Sequence, residues 1–322
     1  MKKMAYRLAV TVMCLYLCVQ TVFGAQLVVP GGQVIGLELQ DDTVTVAAFD
    51  DDLGDAAKAC GLQVGDKIDA INGKPITSAG QVREILSRTD GEAEITIIRS
   101  GQRKKFYVQP EITQSGPRLG VYLKQGITGV GTVTWYDPNT ETFGALGHGV
   151  NNANGELAKM EQGKVYNATV LTVKTGKSGT PGQLMSAVTG NGVIGTLTKN
   201  TAQGIFGTAK LSADGELLPV GAKEQVHTGD AVIRSTVNDG SIREYSVEIV
   251  KVYPNSGPSG RNMLIKVTDP ALLAATGGIV QGMSGSPIIH DGKLIGAVTH
   301  VLVNDPQTGY GIFIENMLDA AA

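Results

Sequence analysis

The stretch QGMSGSPIIHDGKLIGAVTH, Gln281–His300, sets Gly282-Met283-Ser284-Gly285-Ser286-Pro287 directly before a hydrophobic strand. A turn alone needs one or two glycines. This run looks built to hold one hydroxyl in an unusual backbone setting. When a hydroxyl attacks a carbonyl, the oxygen becomes negative and needs two N–H donors. A Gly-x-Ser turn can aim the amides of Gly282 and Ser284 into one small cup, because glycine accepts backbone angles other residues avoid. Gly285 leaves room above the Ser284 hydroxyl, and Pro287 starts the return strand. The bland alternative is a glycine-rich loop whose serines merely bond backbone.

A serine nucleophile needs a histidine in reach and a group to orient that histidine. The chain has four histidines. His148 sits in FGALGHGV, where an apolar strand runs into a ring flanked by Gly147 and Gly149. Small neighbours leave one side of the imidazole open to a substrate. Asp269, in MLIKVTDP, ends an apolar strand, where a carboxylate can turn inward and accept an Nδ1 proton. Read alone, an ordinary Asp-Pro turn accounts for it more simply. The order His148, Asp269, Ser284 and the Gly-x-Ser-Gly-x-Pro shape resemble chymotrypsin-fold serine proteases. By that resemblance LIGAVTHV lines the specificity pocket, and Thr299, His300 and Val301 form the edge that pairs with substrate backbone. Two departures matter. Asp269 lies close before Ser284 rather than midway from His148. Met283 stands where digestive relatives carry an Asp that pairs with a freed N-terminus, so that activation switch is unavailable.

The surroundings of these residues are strand-like. From about Gly116 onward short apolar runs alternate with turn signals such as Asp291-Gly292, the pattern of an all-β barrel or sandwich. The 43 glycines and 5% aromatic content agree. About 200 residues accommodate two small barrels. The earlier region has a different texture, with strands expected at 34–39, 44–49, 67–71, 94–99 and 104–109. Ser78 is a candidate helix N-cap there. Its segment AAKACGLQVGDKIDAINGKPI, Ala56–Ile76, resembles a PDZ domain of the bacterial-protease type. Such domains add an extended peptide as a strand. By resemblance the loop and edge strand fall at Gly32–Leu39, with Ile35, Gly36, Leu37 and Glu38 as peptide-binding residues. The alternative is that this domain docks on its own neighbour and binds no free peptide.

The chain begins MKKMAYRLAVTVMCLYLCVQTVFGAQ. Lys2, Lys3 and Arg7 precede an apolar stretch, and small residues follow near Gly24 and Ala25, which reads as an export signal, either cleaved or kept as a membrane anchor. Removing residues 1–24, which hold those three positive charges and no acid, takes the net charge from −3 to −6. Cys14 and Cys18 lie inside the signal, so Cys60 alone remains and the mature chain has no internal disulfide. No segment is acidic or basic enough to indicate a nucleic-acid partner. Thr175–Thr180, TGKSGT, misses the phosphate-loop pattern because Leu171 stands where it needs Gly. No zinc motif occurs, His290 in HDG reads as a hairpin-turn residue, and neither metal nor cofactor is expected.

The full arrangement is closer still to one family. A signal or anchor, a PDZ domain, FGALGHGV and KVTDPALLAATGGIVQGMSGSPII resemble the SpoIVB peptidase family across nearly the whole chain. That resemblance implies a triad of His148, Asp269 and Ser284, with Gly282 and Ser284 as oxyanion donors. The expected architecture is mainly β: a signal or anchor at 1–24, a PDZ domain at 30–112 and a chymotrypsin-like double β-barrel at 116–322. It further implies an exported serine endopeptidase of sporulation signalling, acting between the forespore and mother-cell membranes. Its substrates would be itself and a membrane-anchored regulator of an intramembrane protease that processes a late sigma factor. A PDZ ligand, from its own chain or the substrate, is the second expected partner. The rival readings are a PDZ adaptor with an inert barrel and a general envelope quality-control protease.

Overall fold

The computed structural model describes residues 26–152, 155–212, 215–237, 240–257 and 260–322. The expected export signal lies outside the described residues. Among those described, no helix is long and apolar enough to cross a membrane.

In chain order the elements begin with β1 (Leu27–Pro30), β2 (Val34–Phe49), α1 (Asp55–Ala59), β3 (Lys67–Ile71), β4 (Lys74–Pro75), α2 (Ala79–Leu86) and β5 (Ala93–Arg99). Next come β6 (Gln102–Val108), β7 (Glu111–Thr113), β8 (Gly116–Arg118), β9 (Val121–Asp137), β10 (Thr142–Ala145), β11 (Gln162–Lys174), β12 (Gln183–Thr201) and β13 (Gly204–Ala209). The chain ends with β14 (Leu218–Pro219), β15 (Gly229–Thr236), β16 (Ile242–Val252), β17 (Met263–Val267), α3 (Pro270–Thr276), β18 (Pro287–His290), β19 (Lys293–Leu302), β20 (Asp305–Phe313) and α4 (Ile314–Ala321).

Two six-stranded barrels result. In the first, β2 pairs with both β9 and β11, closing the circuit β2-β9-β10-β13-β12-β11. Alternate residues of β2, Ile35, Leu37 and Leu39, point into its core beside Val133, Phe143 and Ile205, as the two-residue period of a strand requires. The second barrel closes as β15-β16-β17-β20-β19-β18. Its core includes Ile233, Ile265, Val298 and Phe313. The expected mainly-β class, PDZ domain plus double barrel, is what the chain forms.

The PDZ unit sits differently from its expected boundaries. β2 is one strand from Val34 to Phe49: its first half belongs to the first barrel, and its second half joins β3, β5 and β6. β9 likewise starts in the PDZ unit, where Val121–Gln125 pair with Val44–Phe49, and continues into the barrel. The PDZ core gathers Val44, Ile68, Val82, Ile95 and Leu119. This unit is therefore an insertion at the tip of a barrel hairpin, where Leu39 lies opposite Ile127. Ser78 caps α2 as expected, in a capping box with Gln81. The barrel thus claims residues 34–40, and Ile35, Gly36, Leu37 and Glu38 are not an open PDZ edge. Each is paired on both sides: Ile35 with Gly131 and Asn167, Glu38 with Thr128 and Lys164. No backbone donor row is left there for an added strand.

Candidate functional site

β10 delivers His148 through a strained turn. The pairing of β10 with β9 shifts register at Gly144/Ala145. Leu146 then takes φ 70 and Gly147 φ 68, and the Gly147 amide donates back to the Ala145 carbonyl at 2.9 Å. A buried leucine at positive φ is an uncommon, costly state held by its surroundings. Here it turns the chain so that His148 faces the groove between the barrels. Nδ1 of His148 lies 2.9 Å from the Gly149 carbonyl. A carbonyl only accepts, so Nδ1 carries the proton and Nε2 keeps its lone pair.

The loop from Val280 to Ser286 presents Ser284. Its amides divide into two sets. Met283 N–H donates to Val280 O, Gly285 N–H to Val298 O and Ser286 N–H to Met283 O. Among the described residues, the amides of Gly282 and Ser284 donate to nothing. Gly282 has φ 100 and Gly285 φ 97, so both flanking positions need glycine. Met283 is fully buried in the second barrel core and anchors the loop. The two serines differ: Ser284 lines the cleft, whereas Ser286 is fully buried. Ser284 Oγ donates to the Thr299 carbonyl at 2.9 Å, and no hydrogen bond joins it to His148.

One residue of the first barrel holds both loops. Thr132 on β9 donates its amide to Ser284 O at 3.2 Å and its Oγ1 to Gly282 O at 2.7 Å. Its own carbonyl accepts the Leu146 amide at 3.2 Å. Two residues on, Thr134 Oγ1 donates to Gly285 O. The serine loop and the histidine turn are thus indexed to a single strand. Between the barrels lies a cleft of about 620 Å³ with His148, Ser284 and His300 among apolar walls that include Leu37 and Val301. Leu37, expected to hold a PDZ peptide, instead lines this cleft. Its sequence context, VIGLELQ, reads equally well as either strand.

The other expected residues divide. His300 and Val301 line the cleft, and the imidazoles of His148 and His300 lie 5.4 Å apart, centroid to centroid. Partial desolvation against the cleft wall, then the charges of His148 and Arg261, hold His300 below the usual histidine range. The Thr299 side chain faces away, its Oγ1 donating to the Gly260 and Tyr310 carbonyls. Its carbonyl, not its side chain, meets Ser284. Asp269 is not brought to His148. Its Oδ1 accepts the amides of Ala271 and Leu272 at 2.9 Å each, capping α3, and Oδ2 accepts from Ser246 at 3.3 Å. The ladder His300–Tyr310–Leu264 puts Asp269 five residues beyond Leu264, past the end of β17 at Val267. The Asp-Pro turn reading was the one the local sequence favoured.

A second groove, of about 320 Å³, lies in the PDZ unit between α2 and the start of β9. Val82 and Leu86 of α2 face Leu119, Val121 and Leu123 across it, with Arg83 and Arg118 at its rim. The Leu119 and Gly120 amides donate to no described group. Only one edge of Val121–Leu123 is paired, with β2. The start of β9 falls in the region from about Gly116 onward that reads as barrel strand, which hides this groove. Arg-Leu-Gly-Val ahead of a strand, with a capped helix upstream, is the signal that marks it.

Two barrels meeting at a cleft that contains a histidine and a serine are the framework of a serine endopeptidase. The chain belongs to the SpoIVB peptidase S55 family, whose model matches residues 115–318. A PDZ-domain model matches residues 54–99. Among solved structures the chain is similar to the active form of the Rv3671c protease of M. tuberculosis (17% identity, 61% of this chain and 75% of that one, TM-score 0.36). It is also similar to the HtrA-type protease AlgW with a decapeptide (14% identity, 64% and 56%, TM-score 0.36). The PDZ domain of an SdrC-like protein from Listeria monocytogenes matches at 22% identity over 26% of this chain and 87% of that one, with a TM-score of 0.22. No curated protein matches the chain.

Proposed function

We propose that Ser284 is the nucleophile of this endopeptidase and His148 its base. Ser284 Oγ swings from the Thr299 carbonyl to His148 Nε2, loses its proton there and attacks the scissile carbonyl carbon. The amides of Gly282 and Ser284 receive the oxyanion. The tetrahedral adduct collapses as His148 returns the proton to the leaving amine, and water then reverses the sequence on the acyl-enzyme. The observation that carries this reading is the alternation of spent and unspent amides around Ser284. The Gly149 carbonyl fixes the His148 tautomer, so Asp269 acts by capping α3 rather than by touching the imidazole.

The PDZ groove takes the C-terminal end of a peptide. The Leu119 and Gly120 amides and the Arg118 guanidinium meet its carboxylate, and Val82 and Leu86 meet its last apolar side chain. We further propose, from the family resemblance of the sequence, that the enzyme acts in sporulation signalling, outside the cytoplasmic membrane between forespore and mother cell. There the chain cuts itself and a membrane-anchored regulatory protein, releasing intramembrane processing of a late sigma factor.

Intact mass over time on the purified protein tests the chemistry, beside its Ser284→Ala and Ser286→Ala forms. Shedding of N-terminal fragments by the parent and Ser286→Ala, with Ser284→Ala staying whole, is expected. Identical cutting of all three removes Ser284 from the mechanism.

A further inference from the structure

Outside the cleft, three metal-ligating side chains converge at the closing seam of the second barrel. His227 precedes β15, and His290 and Asp291 sit at the turn between β18 and β19. His227 Nε2 is 3.1 Å from Asp291 Oδ2, His290 Nε2 is 3.3 Å from His227 Nε2, and His290 Nε2 is 3.7 Å from Asp291 Oδ2. Zinc bonds to nitrogen and carboxylate oxygen run about 2.0–2.2 Å. At a tetrahedral angle that separates neighbouring ligand atoms by roughly 3.3–3.5 Å. The three spacings bracket this value.

The other ring nitrogens are already committed. His290 Nδ1 lies 2.8 Å from the Asp230 carbonyl and His227 Nδ1 lies 2.9 Å from the Thr228 carbonyl. Each carbonyl accepts, so both Nδ1 atoms are donors and both Nε2 atoms turn toward Asp291, the outer-shell arrangement that metal-binding histidines use. A carboxylate oxygen joins them. In the metal-free chain His227 Nε2–H donates to Asp291 Oδ2 at 3.1 Å; once that proton leaves, three acceptors face one point, one of them on His290, which is only 4% exposed. A cation resolves that convergence for all three at once. His227 and Asp291 are exposed, which leaves a fourth position for water.

We propose that His227, His290 and Asp291 bind one zinc-class divalent ion. The ion clips the β18–β19 turn to the entry of β15. That seam needs it more than any other: β15 pairs with β16 through eight positions but with β18 through two, Val232–Ile289 and Ile233–Ile288. The site is structural and independent of the serine chemistry.

Chelator-stripped full-length protein is titrated with Zn²⁺ against a chromophoric competitor, and thermal unfolding is followed with and without Zn²⁺. The expected result is one Zn²⁺ per chain at submicromolar Kd, with a raised Tm. His227→Ala and Asp291→Asn should each weaken binding at least tenfold and lose the Tm rise. Both positions are exposed, and Asn tolerates the positive φ of Asp291, so the variants retain the metal-free Tm of the parent. Co²⁺ should give the intense visible bands of a four-coordinate site. No binding at 10 µM Zn²⁺, unchanged binding in both variants, or loss only in His148→Ala overturns the proposal.

Discussion

Gly285→Ala probes the contact on which the cleft depends. A Cβ on Gly285 would fall 2.0 Å from Thr132 O, 2.5 Å from Leu146 N and 3.0 Å from Leu146 Cα. All three are backbone atoms, so no side chain can swing aside. Ordinary contact begins at 3.4 Å, so the serine loop must retreat from β9 by about 1.4 Å, and a 1 Å misplacement costs on the order of 10²-fold in rate. The same retreat stretches the bonds from Thr132 N–H to Ser284 O and from Thr132 Oγ1–H to Gly282 O, each worth about 0.5–1.5 kcal/mol. Positive φ at an alanine adds roughly 1–2 kcal/mol. The total is about 2–5 kcal/mol with cleavage slowed 10²-fold or more. Gly190→Ala is the control: it has φ 74 with nothing within 4 Å of its Cβ, so it carries the strain alone. The assay is the intact-mass time course together with Tm. Gly285→Ala cutting within threefold of the parent would show that the two barrels do not meet through this contact.

Asp269→Asn should keep the α3 cap and most activity, whereas Asp269→Ala should lose about 0.5–2 kcal/mol of stability; a drop near 10⁴-fold in the Asn form, as when a triad aspartate is neutralised, would show that Asp269 reaches His148 in the working enzyme. His300 has a lowered folded pKa, so the unfolded chain takes up a proton first as pH falls. Tm should therefore decline as pH drops below about 6.5, more in the parent than in His300→Gln; equal slopes refute the desolvation of that ring. Arg118→Ala should weaken binding of a peptide with a free C-terminus, measured by fluorescence anisotropy, and amidating the peptide should have the same effect. Leu37→Ala should leave that binding intact while impairing cleavage.

His148 and Ser284, the proposed base and nucleophile, stand out in the sequence because glycines bracket them, and glycine at a strand end announces a special backbone. Their shared support was not. Thr132 lies in GVGTVTWYD, an ordinary strand pattern, and its three bonds to the two loops are tertiary facts without local trace. The double barrel followed from short strands and turns, yet residues 34–40 were assigned to the wrong unit. Alternation in VIGLELQ reports that one face is buried, and is silent about which core buries it. Asp269 shows the opposite case: its local context, Asp-Pro before Ala-Leu-Leu-Ala, spells a helix cap, and that is where its oxygens point. The His227, His290 and Asp291 cluster spans a sequence gap that no ligand-spacing motif covers.

The hairpin-tip insertion also bears on how the chain acquires its shape. β2 opens the first barrel but must wait for β11, more than a hundred residues later, to close it. A free loop of that length imposes an entropic cost on closure. The PDZ unit lies inside it and is built mostly from contacts between nearby segments, so it can form early. Once formed, it holds the stubs of β2 and β9 side by side, Leu39 against Ile127. The inserted domain thereby acts as a splint during folding: it shortens the search for the first barrel pairing before any substrate exists to be cut.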